Sequence, residues 1–189
     1  LGHDDDAAAL RARATGYRAL YDPDSGFLWA KDESGDWATP HNDPSHFSDE
    51  FAEANAWQSL WMVAEDAEGL ATVAGGNEAL VARLEELFEK GREDYEALDY
   101  DNPLTSSGMR PYYWAANEPN MNAAYVFAQL GRPDLTQRWV AWSRAYLYGP
   151  GADGLPGNDD GGSMSAWFVF SALGFYPVPA TDRYIVGTP

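Results

Sequence analysis

The chain has 189 residues, of which 45% are hydrophobic, and this length allows one domain with a substantial core. Its formal net charge of −18 argues against binding to nucleic acid or to anionic membranes, because both attract clustered lysine and arginine. The chain contains no cysteine, which excludes disulfides and thiolate metal sites, and it has no apolar run of about 18 residues that could cross a bilayer.

The first half of the chain predicts three helices and a β-hairpin. Apolar residues that include Leu10 recur at helical spacing from Asp4 to Tyr21. A hairpin is predicted over Phe27–Trp37, and a second helix from Phe51 to about Ala64. A third helix begins after Gly76, with the apolar stripe Leu80, Leu84, Leu87 and Phe88.

The second half predicts three further helices. Residues 91–116 hold a possible short helix and a loop rich in proline, glycine and serine. The fourth helix runs from Asn117 to about Gln129, the fifth from Arg132 to Tyr148, and the sixth from Met164 to Leu173. Residues 184–187 read as a strand.

Six helices with connections of varied length predict an all-α fold of three antiparallel helical hairpins, with a short β-hairpin between the first helices. The loops after the odd-numbered helices would then lie at one end of the array. Glu53, Glu118 and Asp160 each fall at or just before the start of an even-numbered helix. We therefore expect their side chains to converge on one site.

Paired carboxyl groups are typical of glycosidases, in which one group protonates the leaving oxygen and the other activates water or attacks directly. Glu53 has apolar sequence neighbours, which favour the protonated form of a carboxyl group and suit a general acid. Asp160 lies in a polar glycine-rich turn and suits a general base, with Asp159 beside it as the competing candidate. An acidic loop followed by a helix N-cap is the structural alternative for this turn.

The same residues could bind a hard cation such as calcium, which takes oxygen ligands. The side chains that could supply oxygens are Asn55, Gln58, Asn117 and Glu118. The alternatives are stabilisation of a helix N-terminus by Glu118 and ordinary hydrogen bonding by Asn55 and Gln58. Spacing alone favours these alternatives.

Three segments together resemble the family 92 glycoside hydrolases, which are calcium-dependent, exo-acting α-mannosidases that invert the anomeric centre. The segments are Phe51–Gln58, Asn117–Met121 and Gly157–Pro177. Their order and spacing agree with the family across nearly the whole chain.

The resemblance implies roles for particular residues. Glu53 corresponds to the general acid and Asp160 to the general base, with Asp159 as its competitor. Gln58 and Glu118 lie in segments that in the family surround the calcium ion and the sugar. The expected substrate contacts are Asn55, Trp57, Asn117 and Asn122, although a histidine is common in the family at the last position.

The resemblance also implies where this chain belongs in a longer protein. Residues 1–189 are expected to form a single unit, about half of an (α/α)₆ catalytic toroid, without the family's N-terminal β-sandwich domain. The expected partner is a mannose-containing glycan, and the expected location is secreted, periplasmic or on the cell surface. A truncated toroid would expose apolar helix faces, so self-association is a further expectation.

Two other functions remain open at this point. A non-catalytic helical module could bind glycans through its 8 tryptophans and 11 tyrosines, or serve as an interaction module. A polysaccharide lyase on a similar helical fold is less compatible with the sequence, because a chain of net charge −18 repels acidic sugars.

Overall fold

The chain folds mainly into helices, and the computed structural model describes residues 2–38, 41, 43–98 and 109–187. The α-helices of the described residues are α1 Asp4–Ala14, α2 Ala56–Ser59, α3 Ala67–Val73, α4 Asn77–Glu96, α5 Glu118–Met121, α6 Ala123–Gln129, α7 Pro133–Tyr146 and α8 Ser163–Leu173. Short 3₁₀ turns cover Gly16–Leu20, Leu60–Met62 and Ala64–Asp66. The strands are β1 Tyr21–Asp22, β2 Phe27–Leu28, β3 Phe175–Pro177 and β4 Tyr184–Val186. The predicted fold class is confirmed, including a β-hairpin between the first helices.

The strands form two small antiparallel pairs. In the first pair Tyr21 lies opposite Leu28, and in the second Phe175 lies opposite Val186. The predicted hairpin over Phe27–Trp37 is therefore only partly right, because β2 pairs with β1, which precedes the predicted range. Within the predicted range, an isolated antiparallel bridge joins Lys31 and Trp37.

The first helix is shorter than predicted. It ends at Ala14, because Thr15 and Gly16 are weak helix formers, and the chain continues as a 3₁₀ turn into β1. None of its residues is buried, and Leu10 is 61% exposed. The prediction of a helix that continues to Tyr21 was therefore wrong.

The second predicted helix also begins later than expected. Residues 51–53 form a bend, and α2 begins at Ala56 after Asn55, whose Oδ1 accepts a hydrogen bond from the N–H of Gln58 at 3.1 Å. This is N-capping, for which asparagine is well suited. The sequence did not predict α3, which is capped by Asp66 through the N–H of Gly69.

Helix α4 carries the predicted apolar stripe into the core. Leu80, Leu84, Leu87 and Phe88 are each no more than 1% exposed. The helix continues to Glu96, so residues 91–96 extend it and do not form a separate helix. The part of the predicted loop at residues 99–108 lies outside the described residues.

The second half of the chain follows the prediction closely. Helices α5 and α6 are separated at Asn122, and residues 130–132 connect α6 to α7, which packs against it. Trp142 packs edge-on against Trp139 at 5.7 Å and stacks on Tyr146 at 5.8 Å, since the three side chains lie three and four residues apart on one face of α7. Helix α8 ends at Leu173 with Gly174 as its C-cap, and β3 and β4 follow.

A close approach at Gly91 sets α4 against the segment that leads to α5. A Cβ atom at this glycine would lie 2.6 Å from Cβ of Tyr113 and 3.0 Å from its backbone nitrogen. Only glycine permits this spacing, so the contact helps to fix where residues 109–117 run.

We expect Gly91→Ala to lower the free energy of unfolding by about 1–3 kcal/mol, because the added methyl group overpacks the contact with Tyr113. In an exposed helix interior alanine is instead more stabilising than glycine by about 1 kcal/mol. Ala82→Gly at an exposed position of α4 measures that ordinary preference. Urea denaturation of both variants is the measurement, and a stabilised Gly91→Ala would contradict the close approach.

Candidate functional site

A pocket of about 410 Å³ lies where three loop segments meet. Glu53 comes from the bend before α2, Glu118 from the start of α5, and Asp160 from the turn before α8. The full lining is Glu53, Met109, Trp114, Ala116, Asn117, Glu118, Pro156, Gly157, Asn158 and Asp160. The fold therefore brings together the three carboxylates that the sequence analysis grouped.

A larger pocket of about 520 Å³ shares Pro156 and Gly157 with the first. Its lining is aromatic and glycine-rich, and it contains one carboxylate, Asp153. Of these two pockets, only the smaller one has the paired carboxyl groups that glycoside hydrolysis requires.

Glu53 lies on the rim of the smaller pocket and is exposed. Its backbone has a φ of +53°, and its carbonyl oxygen accepts a hydrogen bond from Nδ2 of Asn117 at 2.9 Å. Met109, Trp114 and Ala116 line the same pocket, but Glu53 is exposed and is not buried among apolar side chains as expected. The buried segment begins only after it, at Ala54.

The two adjacent aspartates of the glycine-rich turn have different environments. Asp159 accepts hydrogen bonds from the N–H of Ser165 at 2.9 Å and from its hydroxyl at 2.8 Å. These hydrogen bonds hold the pKa of Asp159 below its usual range. Asp160 is exposed and lines the pocket, whereas Asp159 caps the start of α8 and is not among the lining residues.

Glu53 and Asp160 share an unusual backbone conformation. Among the described residues other than glycine, positive φ angles occur at Glu53, Asp160 and Ala180, with 53°, 47° and 56°. A residue with a Cβ atom pays roughly 1–2 kcal/mol in the left-handed region. Such strain is concentrated at functional sites, and here it coincides with the two predicted catalytic carboxylates.

Asn55 was expected to contact substrate, but its side chain forms hydrogen bonds within the protein. It is fully buried, and its Nδ2 donates to the carbonyl oxygens of Ser45 and Pro111, each at 2.9 Å. Its Oδ1 caps α2 through Gln58. The alternative of ordinary hydrogen bonding therefore describes this residue.

Gln58, expected as a metal ligand, is also fully buried. Its Nε2 donates to the carbonyl oxygens of Arg110 at 2.5 Å and Tyr112 at 3.1 Å. Its Oε1 accepts from Nδ2 of Asn117 at 2.9 Å. Asn117 lines the pocket, whereas Gln58 contacts Asn117 and does not line the pocket itself.

Two further expected substrate contacts do not line the pocket. Trp57 is 4% exposed and packs edge-on against Phe27 at 4.9 Å and Tyr112 at 5.6 Å. Asn122 is half-buried at the junction of α5 and α6.

The sequence analysis missed Trp114, which is half-buried and forms part of the pocket wall. Its backbone N–H donates to Oδ1 of Asn120, and Phe47 packs edge-on against its ring at 6.3 Å. An aromatic side chain three residues before Asn117, the first residue of a predicted site segment, was the available signal.

The pocket offers oxygen ligands of the kind that calcium prefers, namely the carboxylates of Glu53, Glu118 and Asp160 and the side-chain amides of Asn117 and Asn158. Among the residues that the structure describes, however, no group of three or more histidine, cysteine, aspartate or glutamate side chains is close enough to hold a metal ion. Of the two predicted ligands, Glu118 faces the pocket and Gln58 does not. This chain fits calcium in ligand type but supplies only part of the six to eight oxygens that the ion takes.

The described part of the chain also lacks any helix of the length and apolar character needed to span a bilayer.

Comparison with known proteins relates the whole chain to one family. Residues 1–189 match the sequence model of the glycosyl hydrolase family 92 catalytic domain. A family GH92 α-mannosidase from Bacteroides thetaiotaomicron, solved in complex with mannoimidazole, is 32% identical with a TM-score of 0.83, over 100% of this chain and 25% of that one. An inverting mannosidase of the same family and organism is 33% identical with a TM-score of 0.81, over 100% and 26%.

A curated relative gives a weaker match. An uncharacterized secreted glycosidase of Arthroderma benhamiae is 28% identical over 147 residues, which is 75% of this chain and 16% of that protein. The chain thus spans about a quarter of the solved relatives that it matches, and less of the curated one.

The left-handed backbone at Glu53 predicts an inverted preference between glycine and alanine. We expect Glu53→Gly to be more stable than Glu53→Ala by about 1 kcal/mol, because glycine has no Cβ atom to strain. At Glu86, an exposed position inside α4, alanine should be the more stable by about 1 kcal/mol. Urea denaturation of the four variants checks this, and the same order at both positions would refute the strain.

The cap formed by Asp159 predicts a pH-dependent contribution to stability. Its pKa in the folded state is below the unfolded value of about 3.9, so the contribution is complete above that value and is lost as the pH falls through the folded-state pKa. Urea denaturation from pH 7 to pH 3 should show Asp159→Ala destabilised at neutral pH and approaching the unmodified protein in acid. Ser165→Ala, which removes one of the two donors, should show a smaller difference with the same pH dependence, and a pH-independent difference would contradict the assignment.

Proposed function

The chain belongs to glycosyl hydrolase family 92, and on that premise we propose that it forms part of the catalytic domain of an α-mannosidase that cleaves non-reducing-end α-mannosides with inversion. The two solved relatives above, which carry the name mannosidase, support the substrate. The name of one of them, an inverting mannosidase, supports the stereochemistry.

One observation carries the proposal: two carboxylates from separate loops, Glu53 and Asp160, line one pocket. In an inverting glycosidase the general acid protonates the leaving oxygen, and the general base activates a water on the opposite face of the sugar. The two carboxyl groups are then about 6.5–9.5 Å apart, which leaves room for that water. Glu53 takes the part of the acid and Asp160 that of the base.

Asp160 is the better candidate for the base than its neighbour. Both carboxylate oxygens of Asp159 already accept hydrogen bonds from Ser165. The carboxylate of Asp160 borders the pocket, and among the described hydrogen bonds its backbone carbonyl accepts from the hydroxyl of Ser163 at 2.8 Å. Asp159 thus fixes the turn, and Asp160 is available to a water molecule.

We assign calcium to the same pocket as part of the proposal. Glu118 would be the ligand from this chain, with Asn117 and Asn158 as neighbouring amide oxygens. A bound calcium ion would hold sugar hydroxyls and favour distortion of the ring towards its transition state. The remaining ligands would come from the sugar, from water and from other parts of the protein.

The proposal extends to the location of the whole protein and to its partners. The relative described as secreted supports a location outside the cytoplasm, and the net charge of −18 suits a neutral glycan partner. Exposed apolar side chains of α8 and β4 would be covered by another part of the catalytic domain or by self-association. They are Val169, Leu173, Tyr184 and Val186, which are 53–75% exposed.

The roles of the two carboxylates predict different kinetic defects in the full-length enzyme. Glu53→Gln should lower kcat by about 10²–10⁴-fold for a mannosyl disaccharide but much less for a dinitrophenyl mannoside, whose leaving group needs no proton. Asp160→Asn should slow both substrates by a similar factor, because each needs an activated water. Steady-state kinetics on the two substrates measures this difference.

The matched control is Asp159→Asn, which should cause a smaller loss than Asp160→Asn. A larger loss would exchange the roles of the two aspartates. Full activity in both Glu53→Gln and Asp160→Asn would remove the proposed mechanism. A full-length protein that binds mannosides but hydrolyses none, with unchanged affinity in Asp160→Asn, would favour the carbohydrate-binding module.

A further inference from the structure

We propose that Gln58 is a positioning residue for the general acid, and that it acts through Asn117 on the left-handed backbone of Glu53. The inference rests on the proposed function of Glu53. It gives Gln58 a different task from the metal ligation that the sequence suggested.

The geometry begins with a shared donor. Nδ2 of Asn117 donates both to the carbonyl oxygen of Glu53 and to Oε1 of Gln58, each at 2.9 Å. A carboxamide nitrogen carries two hydrogen atoms, so both hydrogen bonds form at once. The general acid is therefore joined to Gln58 through a single side chain.

The orientation of each amide is set by its neighbour. Nε2 of Gln58 donates to the carbonyl oxygens of Arg110 and Tyr112, so its Oε1 has to point towards Asn117. That oxygen in turn needs a donor, and it holds Asn117 with its nitrogen facing Glu53. If Asn117 turned over, its own oxygen would face two acceptor oxygens, which is repulsive.

Burial makes this orientation rigid. Gln58 is 0% exposed and Asn117 is 4% exposed, so water cannot easily replace a lost partner. The backbone that they hold has a φ of +53° at Glu53, a conformation that relaxes unless its surroundings fix it. Without Gln58, we expect Asn117 to lose its preferred orientation and the carboxyl of Glu53 to shift.

A small shift of the acid has a recognisable kinetic signature. Misplacement of a catalytic group by about 1 Å can cost about 10²-fold in rate. The loss falls on proton donation, so it should be large for a poor leaving group and small for a good one. A calcium ligand acts on the sugar itself and would affect both kinds of substrate alike.

The test uses Gln58→Met in the full-length enzyme, with a mannosyl disaccharide and a dinitrophenyl mannoside as substrates. We expect kcat for the disaccharide to fall by about 10–100-fold and kcat for the aryl mannoside to change less than threefold, with KM little altered. Gln129→Met is the matched control, because Gln129 also donates a side-chain amide to a distant backbone carbonyl, that of Ala64 at 2.9 Å. It should lower stability without any dependence on the leaving group.

A second variant keeps the inference testable if Gln58→Met folds poorly. Gln58→Glu retains an acceptor for Asn117, but it can donate to a carbonyl of Arg110 or Tyr112 only when the new carboxyl is protonated, and then through one O–H. Its disaccharide activity relative to the unmodified enzyme should therefore rise as the pH falls. A ratio that stays constant with pH would overturn the inference.

The remaining outcomes separate this inference from the proposed function. An equal loss on both substrates in Gln58→Met, or recovery of activity with added calcium, would overturn the positioning role. Glu53→Gln is measured in parallel: if it depends on the leaving group and Gln58→Met does not, only the inference about Gln58 fails. If Glu53→Gln itself shows no such dependence, the assignment of the general acid fails.

Discussion

A buried network of side-chain amides holds the pocket together, and its centre is the nitrogen of Asn117 between Glu53 and Gln58. The network includes Asn55, and together the three side chains bind main-chain carbonyls of residues 45, 53 and 110–112. Each buried polar group left unsatisfied would cost about 1–3 kcal/mol. The amides therefore allow loop segments to pack in the interior, where helices or sheets would otherwise have to pair them.

The second strained residue of the pocket, Asp160, lies in a glycine-rich turn outside this network. Asp160 is followed by Gly161 and Gly162, with φ angles of 71° and 95°, so the turn before α8 is left-handed at three consecutive residues. Glycine adopts this conformation with the least strain, and the second and third of these residues are glycine. A residue with a Cβ atom at the first position lowers stability, and its side chain lines the pocket.

The elements that the sequence predicted well are those whose periodicity is sufficient on its own. Helix α4 has a long apolar stripe, and α7 and α8 are bounded by proline and glycine. The segment before Gln58 was harder, because alanine and glutamate fit a helix that begins at 51 as well as one that begins at 56. What decides between them is Asn55, whose partners Ser45 and Pro111 are distant in sequence.

The site was predictable in its carboxylates but not in their surroundings. A buried amide that binds the main chain and one that binds a ligand have the same letter in the sequence, so the fates of Asn55 and Gln58 could not be separated. The exposure of Glu53 bears on its proposed role, because a general acid needs an environment that favours its protonated form. The described residues hold the backbone of Glu53 through the hydrogen bond from Asn117 and leave its side chain exposed. Under the proposed function, bound substrate or other parts of the protein would complete the surroundings of the Glu53 side chain.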